Sequence, residues 1–85
     1  MTRTAIVTGG AKGLGAAICQ LAASQGYRLG VLDLRREDCA ALIATLPGTG
    51  HVALQADVTD EHAVRAAFDE FGDAPDVMVN NAGIV

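Results

Sequence analysis

The chain has 85 residues, of which 51% are hydrophobic and 19% charged, with a formal net charge of −4. That length holds one small domain at most, and the apolar fraction excludes a disordered chain. Six Lys and Arg against ten Asp and Glu are too few to neutralise phosphates along a nucleic acid, and no apolar run approaches the ~18–20 residues of a membrane helix.

In chain order, Thr4-Ala5-Ile6-Val7-Thr8 is a short β-prone run that breaks at Gly9-Gly10. Leu14, Ile18, Leu21 and Ala22 then recur at helical spacing and predict the buried stripe of a helix closed by Gly26. Leu29 to Leu32 predicts a second strand ended by Asp33. Cys39, Leu42, Ile43 and Leu46 predict a second helix, stopped by Pro47-Gly48. Val52, Leu54 and Ala56 give a third strand ended by Asp57. Thr59 is the expected N-cap of a third helix that buries Val64, Ala67, Phe68 and Phe71 and stops at Gly72. Val77-Met78-Val79 is the fourth strand, leading into Asn80-Asn81-Ala82-Gly83.

Short apolar strands alternating with helices predict an α/β fold, a doubly wound Rossmann-like parallel sheet of order β-α-β-α-β-α-β. Such sheets usually carry about six strands, so residues 1–85 are expected to be the N-terminal part of one such domain. Ligands bind beyond the carboxyl ends of the strands in this architecture. Each strand here ends in a group suited to that place.

Thr8-Gly9-Gly10-Ala11-Lys12-Gly13-Leu14-Gly15 is neither Gly-x-Gly-x-x-Gly nor a P-loop. Its glycines still suit a sharp exit from the strand, close approach of a pyrophosphate, and tight helix–strand packing. The helix that follows offers free N–H groups to phosphates. The bland reading is a tight turn with no ligand. Asp33 lies eighteen positions after Gly15, where an acid holding the adenosine ribose is expected; the competing reading is a helix-capping aspartate.

Thr8-Gly9-x-x-x-Gly13-x-Gly15, Asp33, Asp57-Val58 and Asn80-Asn81-Ala82-Gly83, on successive strand ends, resemble the short-chain dehydrogenase/reductase family over essentially the whole chain. The resemblance implies an oxidoreductase that passes hydride between a nicotinamide cofactor and a carbonyl/alcohol substrate. It places Gly9, Gly10, Lys12, Gly13, Leu14 and Gly15 around the pyrophosphate and Asp33 on the ribose. Asp57 and Val58 would contact the adenine, and Asn81, Ala82 and Gly83 would line the path to the nicotinamide. Asn80 and Thr8 would be structural, joining the first and fourth strands. Asp33 favours NAD over NADP, since it would face a 2′-phosphate as a like charge. Lys12, Arg35 and Arg36 argue the other way.

The family's catalytic groups are a serine and a tyrosine with a lysine four residues on, a cation that lowers the tyrosine pKa. The one tyrosine here, Tyr27, has Val31 four positions on, Ser24 sits on the first helix, and the one lysine is Lys12. No catalytic residue is therefore assigned, and the 85 residues alone are expected to be inactive. The alternative is a non-catalytic dinucleotide-binding module. The full-length form is expected to be a homo-oligomer, with no nucleic-acid or membrane partner. The fourth strand would leave an apolar edge, so marginal stability is expected.

Cys19 and Cys39 form no disulfide framework or Cys-x-x-Cys knuckle. With an N-terminal run too short for a secretory signal, they predict a reduced, cytoplasmic protein and fit small core residues. His51 and His62 lack a third ligand at metal spacing, so no metal site is expected and both are read as surface residues. Asp60/Glu61 and Asp69/Glu70 are sequence neighbours that do not face one another on a helix. They are read as solvated groups.

Overall fold

Seven elements alternate along the chain: β1 (Thr4–Thr8), α1 (Gly13–Ser24), β2 (Arg28–Asp33), α2 (Arg36–Ile43), β3 (Val52–Gln55), α3 (Glu61–Phe71) and β4 (Val77–Asn80). The structure, a computed structural model, describes residues 2–81. Ala82 and Gly83 lie outside the described residues. All strand pairs are parallel, in the order β3-β2-β1-β4. Parallel neighbours need long crossovers, and each helix supplies one. The order reverses between β1 and β4, which makes their carboxyl ends the switch point.

The register fixes two cores, because alternate strand residues face opposite ways. Ala5, Val7, Leu29 and Val31 pack with Cys19 and Ala23 of α1 and with Cys39 and Leu42 of α2. Ile6, Leu32 and Leu54 face the other way and pack with Ala67 and Phe71 of α3. A Cβ on Gly30 would lie 2.8 Å from Leu54 Cδ1 and 3.0 Å from Phe71 Cδ1. The missing side chain there is the space that the Phe71 ring occupies. Arg28 closes this end, its guanidinium 4.2 Å from the Phe71 ring centroid and paired with Asp73 at 2.7 Å.

Three local expectations are corrected. The buried stripe of α1 is Gly15, Cys19 and Ala23, whereas Leu14 and Leu21 are exposed. The helix runs so close to the sheet that only small side chains fit beneath it, and the bulkier Ile18 packs at its flank. Helix α2 ends at Ile43, where the Thr45 hydroxyl donates to the Leu42 carbonyl at 2.7 Å; Leu46 is buried but off the helix. The N-cap of α3 is Asp60, whose carboxylate accepts from the Ala63 N–H, while Thr59 is bonded to Asp57.

The surface reading of His51 is corrected too, because the ring is a half-buried latch. Its Nδ1 accepts from the Leu29 N–H at 3.0 Å, and its Nε2 lies 2.8 Å from the Pro47 carbonyl oxygen. An accepting Nδ1 goes with the Nε2–H tautomer, and the ring continues the β2–β3 ladder one step beyond Gly30↔Val52. His62 is exposed as expected, and both cysteines are free and buried. Strand β4 is the thinly covered edge, with Val77 and Met78 exposed. Among the described residues, no helix is long and apolar enough to cross a membrane.

Candidate functional site

The loop from Gly9 to Lys12 carries the chain from the end of β1 into α1. Gly13 has φ +55° with nothing within 4 Å of where a Cβ would stand, so it is left-handed and opens onto free space. Gly15 is the opposite case. A Cβ there would strike the Gly9 carbonyl oxygen and lie 2.8 Å from Gly9 C and 2.9 Å from Gly10 Cα, so α1 packs directly on the loop. Gly10 donates its N–H to the Leu32 carbonyl at 3.2 Å and accepts from the Cys19 thiol at 3.6 Å.

The Ala16 N–H donates to the Lys12 carbonyl at 3.2 Å, which leaves the earlier first-turn N–H groups of Gly13, Leu14 and Gly15 without intrahelical acceptors. No side chain caps α1, and no acid stands in its first turn. The other two helices neutralise their own positive ends, α2 with Glu37 and Asp38, α3 with Asp60 and Glu61. The end of α1 is thus the one suited to an external anion.

Asp33 joins this loop to β2. Its Oδ2 accepts from the Ala11 N–H at 3.1 Å and its Oδ1 from the Leu34 N–H at 2.8 Å. Each carboxylate oxygen keeps a second lone pair for a further donor. Beyond the strand ends lies a cleft of about 160 Å³ lined by Gly9, Leu32, Asp33, Leu34, Ala56, Asp57 and Val58. At its rim the Asp57 carboxylate accepts from the Thr59 hydroxyl at 2.7 Å and from the Thr59 N–H at 2.9 Å. Those two bonds, the hydroxyl first, hold its pKa below the usual carboxylate value.

On the β4 side, Thr8 and Asn80 join the strands as expected. The Thr8 hydroxyl lies 3.3 Å from the Val79 carbonyl and 3.4 Å from Asn80 Oδ1, and it accepts from the Asn81 N–H at 3.0 Å. Asn81 also donates its side-chain N–H to the Gly9 carbonyl at 3.3 Å, so it braces the glycine loop from the far side.

The structure thus brings Gly9, Gly10, Lys12, Gly13, Leu14, Gly15, Asp33, Asp57, Val58 and Asn81 to one end of the sheet. Leu32, Leu34 and Ala56, which nothing in the sequence marks as site residues, supply the apolar wall of the cleft. The exposure of Leu34, 61% for a leucine directly after Asp33, is a signal visible only in three dimensions. A larger groove of about 630 Å³ runs along the outer face of α3 past Val58, Val64 and Phe68. Of its charged groups Glu61, Arg65 and Asp69, the first two pair with each other at 3.0 Å, and no glycine loop opens onto it. The smaller cleft is therefore the candidate site. Tyr27 precedes β2 and stands at the opposite end of the parallel sheet. The Ser24 hydroxyl, near the same end, donates to the Leu21 carbonyl at 2.6 Å.

The family profile described as short chain dehydrogenase matches residues 3–85. The chain belongs to that family. It is 42% identical over 88 residues to D-threitol dehydrogenase of Mycolicibacterium smegmatis, covering 96% of this chain and 34% of that protein. Against the human 3-oxoacyl-[acyl-carrier-protein] reductase it is 38% identical over 87 residues, covering 99% of this chain and 36% of the relative. Among solved structures, a short chain dehydrogenase from Bacillus anthracis superposes with a TM-score of 0.85 at 23% identity, over 94% of this chain and 34% of that one. The 3-ketoacyl-(acyl-carrier-protein) reductase from Brucella melitensis complexed with NADH superposes at 0.79 with 29% identity, over 96% and 34%. The chain spans about a third of the length of these short-chain dehydrogenases.

Proposed function

We propose that this chain is the adenosine- and pyrophosphate-binding portion of an oxidoreductase that passes hydride between a nicotinamide cofactor and a carbonyl/alcohol pair. The observation that carries the reading is the uncapped N-terminus of α1 standing beside a cleft lined by Gly9, Asp33, Asp57 and Val58. The fit of a dinucleotide rests on the backbone: Gly13 faces open space, and Gly15 lets α1 approach the loop.

In this reading the N–H groups of Gly13, Leu14 and Gly15 take the pyrophosphate, with Gly9, Gly10 and Lys12 around it. Asp33 accepts from ribose hydroxyls with its remaining lone pairs, while Leu34, Ala56 and Val58 cover the adenine and Asp57 takes its amine. Asn81, with Ala82 and Gly83 after it, lines the way to the nicotinamide, which supplies the hydride when bound. The preferred cofactor is NAD, because Asp33 would repel a 2′-phosphate. The chain by itself binds without turnover, since its Tyr27, Ser24 and Lys12 do not stand in the family's catalytic relation. Substrate binding and self-association belong in this reading to the longer family members, and the compartment is the cytoplasm.

The test is a calorimetric titration of the 85-residue chain with NADH, NADPH and ADP-ribose. The reading predicts one site per chain, similar affinity for NADH and ADP-ribose, and weaker binding of NADPH. Absence of binding by NADH and ADP-ribose alike would overturn it.

A further inference from the structure

We propose that Asp38 and Glu70 set the cofactor preference of this site by holding Lys12 and Arg36 away from the ribose 2′ position. The proposal rests on the dinucleotide reading above and adds two residues to it, neither of which lines the cleft.

Three cations lie at this end of the sheet, Lys12 in the glycine loop and Arg35 and Arg36 just past Asp33, and the structure disposes of two. Lys12 reaches across from the glycine loop to α2, its Nζ 3.4 Å from Asp38 Oδ2. The lysine side chain is 75% exposed and the aspartate 31%, so the carboxylate is the anchored partner and the ammonium the mobile one. Arg36, the first residue of α2, turns toward the open edge of β3. There its Nη1 donates to the Ala53 carbonyl at 2.8 Å, and its two terminal nitrogens grip Glu70 at 2.8 and 3.1 Å. Glu70 comes from α3, on the opposite face of the sheet, and its pairing with Arg36 lowers its pKa.

Arg35 remains, exposed at the N-cap of α2 and without an ion pair among the described residues. It faces a surplus of acid, since Asp33, Glu37 and Asp38 all lie at this end of β2 and α2. A ribose with a bare 2′-hydroxyl needs only an acceptor, which Asp33 provides. A 2′-phosphate adds nearly two negative charges and needs cations in charge-assisted contact. Two of the three cations are already committed, Lys12 to Asp38 and Arg36 to Glu70 and to the β3 edge.

Removing either carboxylate's charge releases its cation without adding one. An exposed pair restrains a cation by a factor of about two to five. NADPH should therefore bind Asp38→Asn and Glu70→Gln each about two- to fivefold more tightly, and the double variant about tenfold, with NADH unchanged within about twofold. Calorimetry on the 85-residue chain reads both ratios, and far-UV circular dichroism checks each variant's fold. The two carboxylates sit on different helices, so each is an independent test. Glu37→Gln removes a neighbouring carboxylate that holds no cation, and should change the ratio less. The gain of Glu70→Gln should vanish when Arg36 is also changed to Ala, and that of Asp38→Asn when Lys12 is.

An unchanged NADPH-to-NADH ratio in both variants overturns the proposal while leaving the cofactor reading standing. So does an equal gain from Glu37→Gln, or a gain that survives loss of the cation. Failure of the unaltered chain to bind either dinucleotide overturns both.

Discussion

Replacing Gly15 by Ala separates local helix preference from close packing, because the two pull in opposite directions. Gly15 lies in the first turn of α1, where Ala is favoured over Gly by about 1 kcal/mol. Its Cβ, however, would stand on the Gly9 carbonyl oxygen, 2.8 Å from Gly9 C and 2.9 Å from Gly10 Cα. Every atom met is backbone, so no rotamer relieves the overlap, and overpacking of this kind costs about 1–3 kcal/mol or more. The displaced loop also strains the Ala11–Asp33 bond at 3.1 Å and the Asn81–Gly9 bond at 3.3 Å, each contributing about 1 kcal/mol. The net expectation is a loss of about 2–3 kcal/mol, a large share of the roughly 4–13 kcal/mol expected for a chain of this length. Urea unfolding measures it, and the thermal midpoint should fall by about 10–20 °C. Gly13→Ala is the control, since its cost is the left-handed backbone alone, about 1–2 kcal/mol. A Gly15→Ala chain as stable as the parent would refute the packing argument. So would a Gly13→Ala chain that loses more than the Gly15→Ala one.

Four further outcomes follow from the same structure. Thr59→Val removes the hydroxyl that contributes most to lowering the Asp57 pKa, so that pKa should rise toward the ordinary carboxylate value in a carboxyl-carbon NMR titration; an unmoved titration would contradict the assignment. Because Asp57 and Glu70 have folded pKa values below their ordinary ones, their contributions are present above about pH 4 and are lost as pH falls through the folded values. Stability should therefore drop on acidification, and flat urea midpoints across that window would exclude these contributions. Burial pushes the Cys19 and Cys39 thiols up to about 11 each, so alkylation at pH ~8 should be slow and should follow unfolding; rapid stoichiometric labelling of the native chain would be contrary. His51→Ala strands the Leu29 N–H and should cost about 1–3 kcal/mol in urea unfolding, whereas an unchanged midpoint would show that the ring is no latch.

The element order and the strand ends were legible because each depends on a short, continuous signal: an apolar run closed by Gly, Asp or Asn. Gly26 and Gly72 end their helices with φ of +93° and +90°, as their positions in the sequence imply. What was illegible depends on distance. The large side chains of α1 set the expected stripe, but α1 meets the loop at Gly15 and Cys19, and the face it buries is Gly15, Cys19 and Ala23. Thr59 and Asp60 are both good caps, and only the bond from Thr59 to Asp57 shows which one serves α3. His51 has no local partner to reveal it. Its acceptor role at Leu29 appears only once β3 is laid beside β2. The same holds for the site: Gly9, Asp33 and Asp57 stood out as strand ends, whereas Leu32, Leu34 and Ala56 became cleft walls only through the sheet order.

In the proposed function, the carboxyl ends of β1, β2 and β3 receive the adenosine half of a nicotinamide dinucleotide. The most direct measurement is the amide NMR spectrum of the isotopically labelled chain during titration with NADH. Saturable shifts clustered on Gly9 to Gly15, Asp33, Leu34, Asp57 and Val58 are the predicted result. Shifts confined to Val64, Arg65 and Phe68 along α3, or no saturable shift at all, would contradict the account.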